Sequence, residues 1–339
     1  MRFLPPEWHR QSFVQLTWPD EFTDWADNLD ETLQCYRSIA REISRRERLV
    51  IVTRCADYVT RALPEYESLG ITIVEAELND TWARDHSFIT VIDNGAPVLL
   101  DFQFNGWGLK FASDRDNLIN RSLYAKLLAN GGSRYENRLS TVLEGGSIES
   151  DGRGTLLTTS ECLLSPNRNG AWDRERIEAE LKSAFGAERV LWLHNGYLAG
   201  DDTDSHIDTL ARFAPSGTIM YVRCTDEADE HYAALSRMER ELQALTDADG
   251  RPYRLVPLPM CSPVSDNGER LPATYANFLY VNGAVLVPTY GLPEDEAALD
   301  VFRRTFPDRD IVGINCRALI RQHGSLHCVT MQYPEEVKL

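Results

Sequence analysis

No apolar run in this 339-residue chain approaches the roughly 18 residues that a membrane span requires, which excludes a membrane-embedded role. The stretch from Met1 to Ser12 is polar and Pro-rich and lacks the apolar centre of a secretory signal, so a cytoplasmic protein is expected. There is no low-complexity tract. Cysteines number seven, at 35, 55, 162, 224, 261, 316 and 328, and no two stand at C-x-x-C spacing. Neither a zinc knuckle nor a disulfide framework fits that scatter. Positive charge is also short: 35 basic residues face 52 acidic ones, a formal net charge of −17. Phosphate-rich partners would be repelled, so nucleic-acid binding is disfavoured, whereas a small cationic substrate would be tolerated or weakly steered. What remains is the balance of a globular protein, 43% hydrophobic and 26% charged, able to bury a sizeable core.

The chain carries a concealed repeat. Four segments share one plan, in which a polar loop enters a short strand, a Gly-containing turn follows, and an apolar strand returns. They run from Trp82 to Leu100, Glu144 to Thr158, Ser205 to Val222 and Thr274 to Val287, turning at Gly95, Gly152, Gly217 and Gly283. Asn-Gly and Asp-Gly between apolar runs are strong hairpin signals. Helical stretches are expected over Asn28–Arg46, Asp114–Asn130, Asp173–Phe185, Asp226–Leu245 and Glu294–Phe306, most of them beginning near Asp, Ser or Glu. Several are followed by apolar strands, at Leu49–Val52, Arg189–Trp192, Tyr253–Val256 and Asp310–Gly313. Two strands lack a return partner, Ser12–Thr17 and Ser325–Gln332, and pairing them would close a ring and hide both edges. The expected fold is α/β, a five-bladed α/β propeller with pseudo-fivefold symmetry, formed as one domain over residues 1–339.

Chemistry-bearing residues recur at equivalent places in this repeat. Asp85, Glu144, His206 with Asp208, Asn277 and Cys328 all fall just before or within the first hairpin strand of successive units. In a closed ring such positions converge on one end of the axis. A thiol, an imidazole and three carboxylates are the parts of a nucleophilic mechanism on a cationic carbon. Guanidinium is a poor electrophile because its charge is spread over three nitrogens. Carboxylates paired with its N–H groups fix its plane and localise that charge. Asp85 and Asp208 suit that fork, and His206 suits proton transfer to leaving ammonia and from the water that clears a covalent intermediate. Two residues apart on a strand, His206 and Asp208 would share a face.

Six motifs occur in order: Trp82-Ala-Arg-Asp, Asn105-Gly-Trp-Gly, Glu144-Gly-Gly-Ser, Cys162-Leu-Leu-Ser-Pro-Asn-Arg-Asn, Thr203-Asp-Ser-His-Ile-Asp and Gly324-Ser-Leu-His-Cys. From about Trp18 to Gln332 the chain resembles the agmatine deiminase family, which includes the Porphyromonas-type peptidylarginine deiminases and belongs to the pentein, or guanidino-group-modifying, superfamily. The resemblance implies a pentein propeller, a covalent thiouronium intermediate, and neither metal nor cofactor. By motif it implies Cys328 as nucleophile, His206 as acid/base, Asp85 and Asp208 as the guanidinium grip, and Glu144 as a further carboxylate turned toward substrate or His206. Trp82, Trp107 and Asp204 are expected to help bind substrate, with agmatine favoured and peptidyl or free arginine next. The chain departs from the family where Asp-Gly-His becomes Asp204-Ser205-His206 and where Trp-Gly-Gly becomes Trp107-Gly108-Leu109. These changes spare the catalytic groups and alter the lining.

Competing readings stay open at this point: an amidinotransferase, a Cys/His amide hydrolase, and a non-catalytic binding protein of the same fold. His323 and His327 are four apart, but Gly324 and the expected strand oppose a helical zinc site. Asn167 and Arg168 read as loop anchors, and Asn277 as an orienting residue. The sequence is compatible with a homo-oligomer.

Overall fold

Four times along the chain, a tight turn followed by a helix builds the same small sheet, and a fifth sheet of that plan joins strands from the two ends of the sequence. The structure, a computed structural model, describes residues 1–170 and 172–339. In each sheet two antiparallel strands are followed by a helical crossover to a third, parallel strand. The unit from Ala211–Ala214 through Thr218–Arg223 to Arg254–Pro259 is representative, with Tyr232–Ala244 as its crossover helix. The others centre on Ala96–Gln103, Thr155–Thr159 and Ala284–Thr289, with crossover helices beginning at Asp116, Arg174 and Asp295.

The remaining sheet joins the two ends of the sequence. Thr330–Pro334 pairs antiparallel with Gln11–Thr17, which then runs parallel to Arg48–Thr53 and on to Thr72–Glu75. The two strands lacking partners in the sequence thus pair with each other. The last of them is shorter than expected, because residues 326–329 form a turn and not strand. Thr330 N donates to His327 O at 3.0 Å, closing that turn where the strand begins, and His327 N donates to Asn277 O at 3.1 Å and so is taken outside the ladder.

Local sequence explains the elements. Asn94 and Ser216, with the glycines after them, all hold positive φ, the geometry that matches strand twist in a two-residue hairpin. In the helix Leu29–Ser44 the buried residues are Thr32, Cys35, Tyr36, Ile39, Ala40 and Ile43, an inward stripe at 3–4 residue spacing. Arg174–Phe185 begins on Asp173, whose carboxylate accepts from Arg176 N, and stops at Gly186 in the left-handed region. Two expected helices are corrected. The one expected from Asp226 starts at Tyr232, because Asp226 and Asp229 accept from Ala228 N and His231 N in local turns that compete with helix. The one expected over 114–130 changes pitch, from α at Asp116–Leu123 to π at Tyr124–Leu128 and 3-10 at Ala129–Gly131.

Strand alternation divides the interior. On the strand Gln11–Thr17, Phe13 enters one apolar cluster with Val91, Leu99 and Phe185, while Val14 and Leu16 enter another with Phe213, Val285 and Phe302. Both faces of this strand are buried, and the side-chain oxygen of its buried Gln15 accepts from Tyr333 OH at 2.8 Å. Among the described residues, no helix is long and apolar enough to cross a membrane.

Candidate active site

The catalytic candidates are delivered by the short segments that lead into the hairpins. Asp85 lies on the one-turn helix Ala83–His86, ahead of the strand Ile89–Asp93. Glu144 precedes a 3-10 turn at Gly145–Ser147. His206 and Asp208 flank and occupy a 3-10 turn at Ile207–Thr209, which corrects the expected strand. They meet through the curvature of that turn, with no shared sheet face.

Their convergence is tight. A methyl group on Gly146 would lie 2.7 Å from His206 Nδ1, 2.9 Å from Asp85 Oδ1 and 3.0 Å from Asp208 Oδ2. Those three groups therefore surround one point, and only a glycine leaves room for them. Asp85 Oδ1 accepts from Gly146 N at 2.9 Å and stands 3.8 Å from His206 Nδ1. Cys328 Sγ lies 3.8 Å from Asp208 Oδ2, and Asn277 Nδ2 donates to the sulfur at 3.2 Å. Asn277 Oδ1 also accepts from His327 N at 2.9 Å, so this side chain fixes both the thiol and its backbone.

The thiol opens onto a cavity of about 540 Å³. Cys328, Asp85, Trp82 and Trp107 line it, while His206, Asp208 and Glu144 are fully buried behind it. One wall is a left-handed turn in which Gly106, Trp107, Gly108 and Leu109 all have φ between 54° and 86°. Leu109 N and Lys110 N donate to Asn105 O and Gly106 O, closing the turn, and Gly106 abuts the Phe111 carbonyl too closely for any Cβ. The turn aims Trp107 Nε1 at Asp85 Oδ2, a bond of 2.9 Å. Trp82 donates to Asp80 Oδ2 at 2.9 Å, and its ring packs against Trp25 and Trp107. Leu109 at φ 68° and Ser205 at φ 61° occupy the two places where the family motifs carry glycine. The backbone keeps a glycine conformation there although the residue has changed.

Burial dominates the electrostatics. Asp85 is pushed up to about 8 by desolvation, and then by the facing charges of Asp208 and Glu144. The Cys328 thiol is pushed well up by burial, with Asp208 and Asp85 adding to it. His206 falls to about 3 because burial disfavours the imidazolium, and neither ring nitrogen has a hydrogen-bond partner. Asp208 behaves oppositely. Burial pushes it up, but the hydrogen bond and charge of His327, together with the charges of His206 and Arg212, outweigh that and hold it below the usual carboxylate range.

Two polar residues have partners that the motifs did not reveal. Asp204, expected at the substrate, does not line the cavity among the described residues. Its carboxylate is committed to Lys110 Nζ at 2.7 Å and Arg168 Nη1 at 2.6 Å. Arg168, read as a loop anchor, is a buried cation whose Nε donates to both Glu144 oxygens at 2.9 and 3.0 Å. Glu144 is thereby an ion-pair partner behind His206. Glu144, Cys162 and His206 offer ligand atoms within 4.8 Å of one another, but a metal ion there would face the Arg168 guanidinium already seated on Glu144. Sequence reasoning also missed Glu7, Glu149 and Arg212. Arg212 is fully buried and pairs with both acids. Its one sequence signal was a lone charge inside the apolar run Leu210-Ala-Arg-Phe-Ala.

A family model described as Porphyromonas-type peptidyl-arginine deiminase matches residues 3–334. The agmatine deiminase of Stutzerimonas stutzeri is 33% identical, covering 98% of this chain and 95% of its own. Among solved structures, a provisionally named arginine deiminase from Porphyromonas gingivalis superposes with a TM-score of 0.94 at 54% identity, covering 99% of both chains. A substrate-bound cysteine-to-serine variant of C. jejuni agmatine deiminase gives 0.90 at 36% identity, over 98% of this chain and 96% of that one.

Proposed function

We propose, from the premise that this chain belongs to the Porphyromonas-type peptidyl-arginine deiminase family, that it hydrolyses the guanidinium group of a small cationic substrate, agmatine first. It is a hydrolase of C–N bonds. The observation that carries the reading is an imidazole and two carboxylates around one point, with the Cys328 thiol 3.8 Å from Asp208 Oδ2 and with Asp85 short of a counter-cation. A guanidinium between Asp85 and Asp208 supplies that cation. It offsets the burial and the repulsion that protonate Asp85 and favours the thiolate of Cys328.

The thiolate adds to the guanidinium carbon. As the tetrahedral adduct collapses, the C–N bond breaks and His206 passes the former thiol proton to the leaving nitrogen, releasing ammonia. The thiouronium that remains is attacked by water, whose proton goes to His206, and the C–S bond breaks to give the ureido product and the free thiol. Neither oxidant nor cofactor enters this balance. Asp85 and Asp208 hold the plane of the substrate throughout, and Asn277 Nδ2 stabilises the sulfur whenever it carries charge.

Agmatine is favoured over arginine by the cavity wall. Asp24, Asp80 and Asp116 line it, and burial pushes Asp80 up to about 8 and Asp116 to about 7, so a second positive group on the tail would draw these acids into their charged form, whereas an α-carboxylate would meet no cation among them. Lys110, also on the wall, is neutralised by Asp204. The five sheets of common plan are arranged, in this reading, as blades about one axis in a single domain over residues 1–339, with the site at one end of the axis. The test is release of ammonia and a ureido product from agmatine, free arginine and an arginyl peptide. Turnover should be highest with agmatine and should fall at least about a thousandfold in Cys328→Ser. Full activity in that variant overturns the covalent mechanism, and a preference for an arginyl substrate overturns the choice of agmatine.

A further inference from the structure

Directly before the nucleophile stands a histidine that the mechanism above does not use. His327 is fully buried, and both ring nitrogens are occupied. Nδ1 lies 2.7 Å from Asp208 Oδ2, and Nε2 lies 2.7 Å from Glu7 Oε1. Arg212 Nη2 approaches Nε2 at 3.1 Å, Arg84 Nε faces the His327 carbonyl at 3.5 Å, and Arg212 pairs in turn with Glu7 and Glu149. Glu7, Arg84, Arg212 and Asp208 are thus the charged groups around this ring.

A contact of 2.7 Å between a carboxylate oxygen and a ring nitrogen requires a proton between them. Asp208 is held in its ionised form, which places that proton on Nδ1. The same rule puts a second proton between Nε2 and the ionised Glu7, so the two acids oppose the burial and the Arg212 and Arg84 charges that push His327 down. The arrangement leaves the two oxygens of Asp208 unequal: Oδ2 is tied to His327, whereas Oδ1 is buried with no partner. Asp85 provides the internal contrast. It shares the pocket and the burial, receives only neutral donors from Trp107 and Gly146, and is pushed up to about 8 where Asp208 is held down.

We propose that His327 is a positioning residue: its Nδ1–H, braced from behind by Glu7 and Arg212, orients Asp208 so that Oδ1 is the acceptor that meets the cationic head group of the substrate. This deepens the proposed function and rests on its premise that the site takes a planar cation. Glu7, with Arg84 and Glu149, also lines a small pocket separate from the thiol's cavity.

The test compares alkylation of Cys328 by 2-chloroacetamidine, a planar cation, with alkylation by its neutral isostere 2-chloroacetamide, read by peptide mass spectrometry. Turnover is not needed, so the outcome is separate from the substrate assay. The wild-type protein should favour the amidine. His327→Leu should lower the amidine-to-amide rate ratio by roughly 10–100-fold, the worth of one hydrogen bond to a charged group. His327→Asn should recover most of the ratio, because its amide nitrogen falls near the place of Nδ1. His327→Gln, whose amide reaches toward Glu7, should not. An unchanged ratio in His327→Leu, or equal recovery by Asn and Gln, overturns the assignment. Should His327→Leu fail to fold, the order of the Asn and Gln variants decides alone.

Discussion

Substrate binding should expel a proton from Asp85, and the structure sets the size of the effect. A rise from 3.8 to about 8 corresponds to roughly 6 kcal/mol set against the anion by burial, Asp208 and Glu144. At pH 7 most of the ligand-free protein therefore carries a protonated Asp85, while a bound guanidinium requires the carboxylate. Binding at pH 7 should release close to one proton, and affinity should climb toward tenfold per pH unit from pH 6, levelling off above about 8. The sign for stability follows from the same shift. Between 3.8 and about 8 the folded chain keeps a proton that the unfolded chain has lost, so ligand-free stability falls as pH rises through that window. The gain in Tm on adding agmatine should accordingly be larger at pH 8 than at pH 6. Calorimetric titration of the Cys328→Ser protein, in two buffers of different ionisation enthalpy, counts the protons directly and removes the thiol as their source. In Asp85→Asn the release should vanish. Affinity flat from pH 6 to 8, with no proton released at pH 7, would refute the electrostatic account.

Two further outcomes test the packing. Gly146→Ala places a methyl 2.7–3.0 Å from His206, Asp85 and Asp208 at a backbone that alanine can adopt, so kcat/KM should fall at least about a hundredfold while Tm drops only a few degrees; near-normal activity would mean the three groups do not share that space. Leu109→Gly relieves a left-handed leucine at φ 68° and should stabilise the chain by about 1 kcal/mol, seen in a chain of this length as a Tm higher by about 1–2 °C, with a lower Tm counting against the reading.

The repeat was legible because turn chemistry and helix periodicity are local. Asn94-Gly95 and the stripe along Leu29–Ser44 declare themselves within a dozen residues. Pairing of the unpartnered strands followed from the need to hide their edges. Cys328, His206, Asp85 and Asp208 could be named from their places in the repeat, and the structure gathers them. The arginines were illegible for a physical reason. Whether Arg168 is a surface anchor or a buried counter-charge depends on Glu144, which sits 24 positions away on another segment. His327 had no readable role because its partners, Glu7 and Asp208, are 320 and 119 positions distant. The partners of Asp204 were hidden in the same way: its carboxylate meets Arg168 and Lys110, 36 and 94 positions distant.

The pairing of Thr330–Pro334 with Gln11–Thr17 has a bearing on how the protein is made. Gln11–Thr17 is made before Arg48–Thr53 and can dock on it once both are out, but its other flank stays open until more than three hundred further positions have been synthesised. Over that interval a nascent chain exposes an unpaired ladder edge, the kind of surface that chaperones engage. Cys328 is made just ahead of the segment that seals that flank, so its thiol is produced almost at the moment its shelter closes.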